Sequence, residues 1–456
     1  MSPPLRLEVS RLVTVHRLLF RWTCAVLIGA LLGSGLLGCA GARESEGNGE
    51  SSASEAPSDG QQEGLQLIEP TDEVRTIQLY EGSNEQRLPI VSLGSGNGTL
   101  TLEFDLMASQ GRPLSVYFYH ADRSWRRDLS PAQYLSSFQN DNLLDYRPSR
   151  GTLIPYVHYE YQFPNEDIDF RVSGNYVIRV TEQGRENEVL FERAFFVSEQ
   201  AGPVQLGIED VVVSGQRQPS DIPIARFTPP SQLRGDPFSY DVCFVRNAQF
   251  AQARCSERPR LARMPDLEFD LLRERAFAPT TARYFLDLSS LRVGGSIEST
   301  DRTASPYRIM LRPDYARFAN TPLAPDLNGQ TLVGSVVRSV GEPDVEAEYV
   351  TTAFRFVPPN EQPFSREVVV AGSFTGGRYN DDYRLRWVAD RGRYEGEVLL
   401  KQGHYEYFYD SPDPALRQAV RQSLPRMRER YTAFVYYDDP TLNTDRLIAV
   451  QSVQSQ

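Results

Sequence analysis

From Leu65 onward the chain is dominated by short runs in which apolar and polar residues alternate, broken by Gly, Pro, Asn and Asp. Leu100, Leu102 and Phe104 share one face of TLTLEFD, and Val116, Phe118 and His120 share one face of VYFYH. Val157, Tyr159 and Tyr161 do the same in YVHYEYQF. The pattern returns in NYVIRV (175–180), LFERAFFV (190–197), EAEYVTTAFRFV (346–357), EVVVAGSF (367–374) and YEYFYD (405–410). A period of two places every second side chain on one face of a strand, so such a chain buries itself only by packing sheet on sheet. The reading is all-β: tandem, immunoglobulin-like β-sandwiches with one or two short helices. One helix is expected at Asp128–Phe138, with Ser130 as cap and Pro131 in its first position. A second is expected at Pro412–Arg428, interrupted by Pro425.

At 456 residues the chain exceeds one hydrophobic core, since cores rarely grow past about 250–300 residues. The proline-rich stretches SEQAGPVQ (198–205) and VPPNEQPFS (357–365) read as joints. They divide the body into an N-terminal sandwich at 65–200, a middle β domain at 201–357 and a C-terminal sandwich at 358–456.

The first segment reads as an address. Arg6, Arg11, Arg17 and Arg21 precede an apolar run from Trp22 to Leu37, too short to span a bilayer, as a secretory signal peptide over 1–38 requires. Leu36-Leu37-Gly38-Cys39 resembles a bacterial lipobox, which implies acylation of Cys39 and a membrane attachment through lipid. Residues 39–64 are almost wholly small, polar and acidic, and form a flexible acidic linker. The expected location is the outer membrane as a lipoprotein, on the periplasmic face, with the cell surface as the other choice.

Sixty acidic against 48 basic side chains give a net charge of −12, and removing the basic leader takes this to −15. Nucleic acid is therefore not an expected partner, because phosphate binding needs a basic field. Lys401 is the only lysine, so 47 of the 48 cationic side chains are Arg, and lysine chemistry is confined to one position. Of the four cysteines, Cys243 and Cys255 lie in the body, where they either bridge, as an oxidising compartment permits, or sit as buried thiols.

No catalytic pattern emerges. There is no G-x-S-x-G elbow, and LGSGNG (93–98) lacks a phosphate-loop lysine and reads as a turn. His158 and Glu160 share a strand face but have no third metal ligand nearby, so His158 reads as a half-buried histidine with a hydrogen-bond partner. Asp326-Leu327-Asn328-Gly329 imitates part of a calcium loop without its bidentate acid. No catalytic residue, cofactor or metal is expected. Tyr405, Tyr407 and Tyr409 line one strand face, with Trp387 close in sequence. They are candidate contacts for a partner or glycan if that face is exposed, and core if it is not.

A set of ordered motifs adds a resemblance. RTIQLYEG (75–82), LPIVSLGS (88–95), LTLEFD (100–105), YHADRSW (119–125), PAQYL (131–135), DYRPSRGT (145–152), PYVHYEYQFPNE (155–166), SGNYVIRV (173–180) and FERAFFVSE (191–199) occur in that order. Together they resemble the plug-protein family of the type IX secretion system. The likeness thins through RYFLDLSSLR (283–292), PDLNGQ (325–330) and EAEYVTTAFRF (346–356) to LLKQGHYEYFYD (399–410). It implies a non-enzymatic secretion component that occludes the periplasmic mouth of the outer-membrane translocon barrel, with that barrel as partner. The last block, through REVVVAGSF (366–374) and GRYEGEVLLKQGHYEYFY (392–409), resembles early-set immunoglobulin-like modules of the glycogen-binding type. Sugar-binding members carry a Trp after the GSF turn, where Thr375-Gly376-Gly377 stands here, so the module reads as a scaffold. A glycan-binding outer-membrane lipoprotein is the alternative function, and a hydrolase the third.

Overall fold

Each alternating run quoted above becomes a strand. The computed structural model describes residues 64–456 except 95–97, 214–218, 257, 264, 280–282, 317–326, 329, 335–340, 376–380, 414, 417–427 and 456. The leader, Cys39, all but Gly64 of the acidic linker, the centre of LGSGNG, two residues of the calcium-like turn and most of Pro412–Arg428 thus lie outside the described residues. No described helix is long and apolar enough to cross a membrane.

Domain I packs two sheets face to face. One orders its strands Val74–Glu81, Leu100–Leu106, Val157–Phe163, Tyr146–Pro148. The other orders them Ile90–Ser92, Val189–Ser198, Gly174–Glu182, Leu114–Ala121, Asn140–Leu143. Leu102, Phe104, Tyr159, Phe163, Phe118, Ile178 and Phe195 fill the space between them. The expected first helix is a single turn, Pro131–Tyr134, in which the Gln133 carboxamide oxygen accepts from the Ser130 backbone N–H. It stops there because Leu135 is extended and bridges to Phe170. An unexpected helical turn lies at Pro343–Glu346.

Domain II is also a sandwich, but its chain is discontinuous. Its first sheet runs Val204–Val211, Ser220–Phe227, Asp266–Asp270, Arg260–Arg263. Its second runs Arg254–Ser256, Tyr240–Arg246, Arg430–Asp439, Thr444–Gln454, so the last hairpin of the chain completes it. Domain III is inserted between these two parts. Its strands run Tyr284–Asp287, Gly403–Asp410, Val368–Gly372, Arg384–Val388, Arg393–Lys401, Tyr349–Val357, Arg308–Leu311, Ile297–Asp301. The sheet closes over its own core because Arg384–Val388 pairs with Val368–Gly372 at its start and with Arg393–Lys401 at its end.

This nesting corrects the boundary expected at 357/358. Tyr349–Val357 pairs with Arg393–Lys401 along its length, from Tyr349↔Lys401 to Phe356↔Tyr394, and Arg430–Asp439 pairs with Tyr240–Arg246. The prolines of VPPNEQPF break a strand as a linker would, but here they only turn the chain between two strands of one sheet. Residues 358–456 are therefore not one sandwich: they supply half of domain III and the closing hairpin of domain II.

Cys243 and Cys255 face each other across neighbouring strands and are joined as a disulfide. The bridge closes a loop whose Phe250 packs on Phe434 and on Phe196 of domain I. By loop-closure entropy a bridge of this span contributes about 3 kcal/mol. Replacing both cysteines by Ala is expected to lower the unfolding free energy by about that amount in a urea titration.

Candidate functional site

The tyrosine row singled out in the sequence lies inside. Tyr405, Tyr407 and Tyr409 are each no more than 2% exposed and belong to the core of domain III. Their strand pairs on both sides, with Tyr284–Asp287 and Val368–Gly372, and the row faces Phe354, Phe356 and Phe374. The Tyr405 hydroxyl donates to the Lys401 carbonyl, and those of Tyr407 and Tyr409 donate to Asp314 at 2.8 and 2.7 Å. Trp387 is half-buried and packs edge-on against Tyr394. Of the two readings of the tyrosine row, stacking face or core, the row is core: fully hydrogen-bonded and enclosed, it has no face left for a sugar or a partner.

What the alternation does build is a second polar face. The sheet of domain I that carries Leu100–Leu106 and Val157–Phe163 turns Leu102, Phe104 and Tyr159 inward. The odd-even rule therefore turns Thr76, Gln78, Tyr80, Glu103, Asp105 and His158 outward. Domain III covers this outer face. Asp105 is 1% exposed, and its carboxylate accepts from Lys401 Nζ at 2.7 Å, from the Tyr349 hydroxyl at 2.7 Å and, on the other oxygen, pairs with His158 Nδ1 at 2.9 Å. Burial drives the Asp105 carboxyl up, but the Lys401 ammonium and His158 outweigh it and hold it below the usual carboxylate value. Lys401 also donates to the Asp344 carbonyl at 2.7 Å and lies 4.4 Å from the centre of the Tyr156 ring. Tyr156 in turn donates to the Ala347 carbonyl and stacks edge-on against Tyr349. His158 is buried with its Nε2 unpartnered. Beside it, burial pushes the Glu103 carboxyl up to about 7.

The sole lysine of the chain therefore sits at the joint of domains I and III. Lys401 stood out in the sequence as unique, but nothing there marked Asp105, 296 positions away, as its partner. The other two joints are built alike. Arg283, where the chain enters domain III, bridges Glu406 of domain III at 3.1 Å and Glu429, where the chain re-enters domain II. Between domains I and II, Arg123 meets Asp241 and Asp445, Arg446 meets Glu199, and Tyr436 donates to Asn175 at 2.7 Å. Phe196 and Phe434 seal that joint with ring centres 4.5 Å apart.

Asp105, Lys401, His158, Arg283, Glu406 and Glu429 are enclosed by protein, whereas Arg123, Arg446 and Glu199 between domains I and II stay partly exposed. Among the described residues no set of three His, Cys, Asp or Glu is placed to hold a metal ion. His120 pairs with Asp128 at 2.8 Å under the ring of Tyr176, and His404 stacks on Phe285. What the arrangement does chemically is fix three sandwiches to one another.

Replacing Lys401 by Met leaves Asp105 as an uncompensated buried charge and is expected to cost about 3–5 kcal/mol in chemical denaturation. Adding Asp105→Asn is expected to return part of that loss. A second test concerns Asp314, whose carboxyl burial pushes up from 3.8 to about 7. The folded protein holds a proton there that the unfolded chain releases, so this group withdraws stability as pH rises from 3.8 to about 7 and no further above that. In Asp314→Asn the tyrosine hydroxyls keep an acceptor, and the melting temperature is expected to fall less between pH 5 and pH 8 than in the wild type. Equal falls would contradict the assignment.

Comparison with known proteins bears on domain I above all. The chain is similar to a crystal structure of a hypothetical protein from Parabacteroides merdae ATCC 43184, with 21% identity and a TM-score of 0.76. The likeness covers 87% of this chain and 100% of that one, and shows that the fold is shared. A serine-rich repeat adhesion glycoprotein from Streptococcus agalactiae, at 8% identity and a TM-score of 0.12, carries no argument. No curated protein matches. Residues 74–199, which are domain I from its first strand to the end of its last, match the family model of the type 9 secretion system plug protein 1st domain.

Proposed function

We propose that this protein is a non-enzymatic component of a bacterial secretion apparatus, a plug that occludes the periplasmic side of the type IX outer-membrane translocon barrel. The observation that carries the reading is the match of domain I to the plug family. The physical character of the body supports it. Occlusion needs a stiff object of fixed shape, and three sandwiches joined by ion pairs, buried at two of the joints and partly buried at the third, resist bending at every joint. Lipid on Cys39 and the linker at 39–64 would keep that body near the membrane and raise its effective concentration at the barrel. A net charge of −15 without the leader suits a barrel mouth with a basic rim, because complementary fields steer association.

The glycan-binding alternative drew on Trp387, Tyr405, Tyr407 and Tyr409, and the burial of the three tyrosines takes away its docking face. In a strain lacking the gene, small periplasmic markers are expected to leak through the translocon or secretion to fall. The full-length protein is expected to co-purify with the barrel after mild detergent extraction. A clean deletion that changes neither leakage nor secretion would reject the plug reading.

A further inference from the structure

The chain uses arginine at 47 of its 48 cationic positions, including the buried Arg283 between two glutamates, and keeps lysine only at position 401. A charge needing only hydrogen-bond partners is met elsewhere in this protein by guanidinium. Lysine differs in having an amine that, once neutral, is a nucleophile. Here that amine lies against a single carboxyl, at 2.7 Å, with both side chains 1% exposed and the rings of Tyr156, Tyr349 and Tyr405 around them. No water fits between them at that distance.

We propose that Lys401 and Asp105 condense spontaneously into an isopeptide bond that joins domain III covalently to domain I. The reaction needs no cofactor and no oxidant. A proton passes along the existing hydrogen bond from Nζ to Oδ2, giving the neutral amine and the carboxylic acid that the attack requires. The nitrogen lone pair attacks Cγ, and the carbonyl electrons move to Oδ1, where His158 Nδ1–H donates to the developing oxyanion. With the His158 proton on Nδ1, Nε2 is the unprotonated nitrogen, and that is the atom the fold leaves without a partner. The Cγ=Oδ1 bond then reforms, Nζ gives up a proton, and Oδ2 leaves as water beside the Tyr349 hydroxyl that donates to it. One ammonium and one carboxylate become one amide and one water. Holding the reactants in contact supplies the effective concentration that the reaction lacks in solution. His158 and Tyr349 are positioning residues in this scheme, and Asp344 accepts from the amine through its carbonyl and fixes its place beside the carboxyl.

The bond would span 296 residues and does not depend on the plug reading. The test is peptide mass spectrometry of the folded, purified full-length protein, denatured, reduced and cut with an Arg-specific protease. The expected product is the peptide bearing Asp105 joined to the peptide bearing Lys401, at a mass one water below their sum. It should be lost in Lys401→Arg and in Asp105→Ala. A wild-type digest in which the two peptides appear separately, with no joined species, overturns the proposal whether or not the variants fold. A joined species that persists in Lys401→Arg overturns it too. A reporter distinct from mass is the denaturing gel after a single proteolytic cut between domains I and II. The wild type should stay one species, and each variant should fall into two.

Discussion

The Asp105 carboxylate, held by Lys401, Tyr349 and His158, is the contact on which the arrangement of the molecule most depends. It decides how a sheet with two covered faces can exist in an all-β protein. The inner face of that sheet is apolar and packs within domain I; the outer face is polar and is covered by domain III. An apolar outer face would have held domain III by area alone, with little to set its orientation. Polar groups buried without partners cost too much to tolerate, so each donor and acceptor fixes the angle and register of the joint. Such a pair contributes less to net stability than its Coulomb attraction suggests, because desolvation opposes it. Its effect is to exclude other arrangements of the two domains.

Nesting of the chain works in the same direction. Domain III leaves domain II after Asp266–Asp270 and returns at Arg430–Asp439, so two chain crossings join the pair where a serial arrangement would have one. Arg283 and Glu429 stand at those crossings and are bonded to each other, closing the neck of the insertion. With domain I tied to both other domains, the three joints form a ring, and no domain can swing about one joint without breaking another. A protein that acts by filling a space needs that property, whereas an enzyme with a hinged cleft needs the opposite.

The fold class was legible in the sequence because period-two alternation is a local signal, and each alternating run forms a strand at its predicted place. Ser130 and Pro131 likewise marked a helical turn in domain I, since a capped turn is decided by adjacent residues. The order of domains was not legible, because the pairing of Arg430–Asp439 with Tyr240–Arg246 is a contact between segments far apart, and Pro358, Pro359 and Pro363 look the same in a linker and in a connecting loop. The tyrosine strand shows the same limit: alternation says that Tyr405, Tyr407 and Tyr409 share a face, and only the neighbours Phe354 and Phe356 decide that the face is inside. Lys401 was conspicuous by its rarity, yet rarity names a residue and not its partner. His158 came closest, since a histidine on a strand face with a hydrogen-bond partner was expected and Asp105 supplies it.

Fixed at their polar joints, the three sandwiches behave as one rigid body, and native-state hydrogen exchange of the full-length protein reads this out. The amides of Leu100–Leu106 and Val157–Phe163 in domain I, Tyr349–Val357 in domain III and Tyr240–Arg246 in domain II are expected to share one opening free energy, the global one, and to lose protection together as denaturant is added. Separate opening of domain III, with its strands exchanging at a lower free energy than those of domain I, would contradict it.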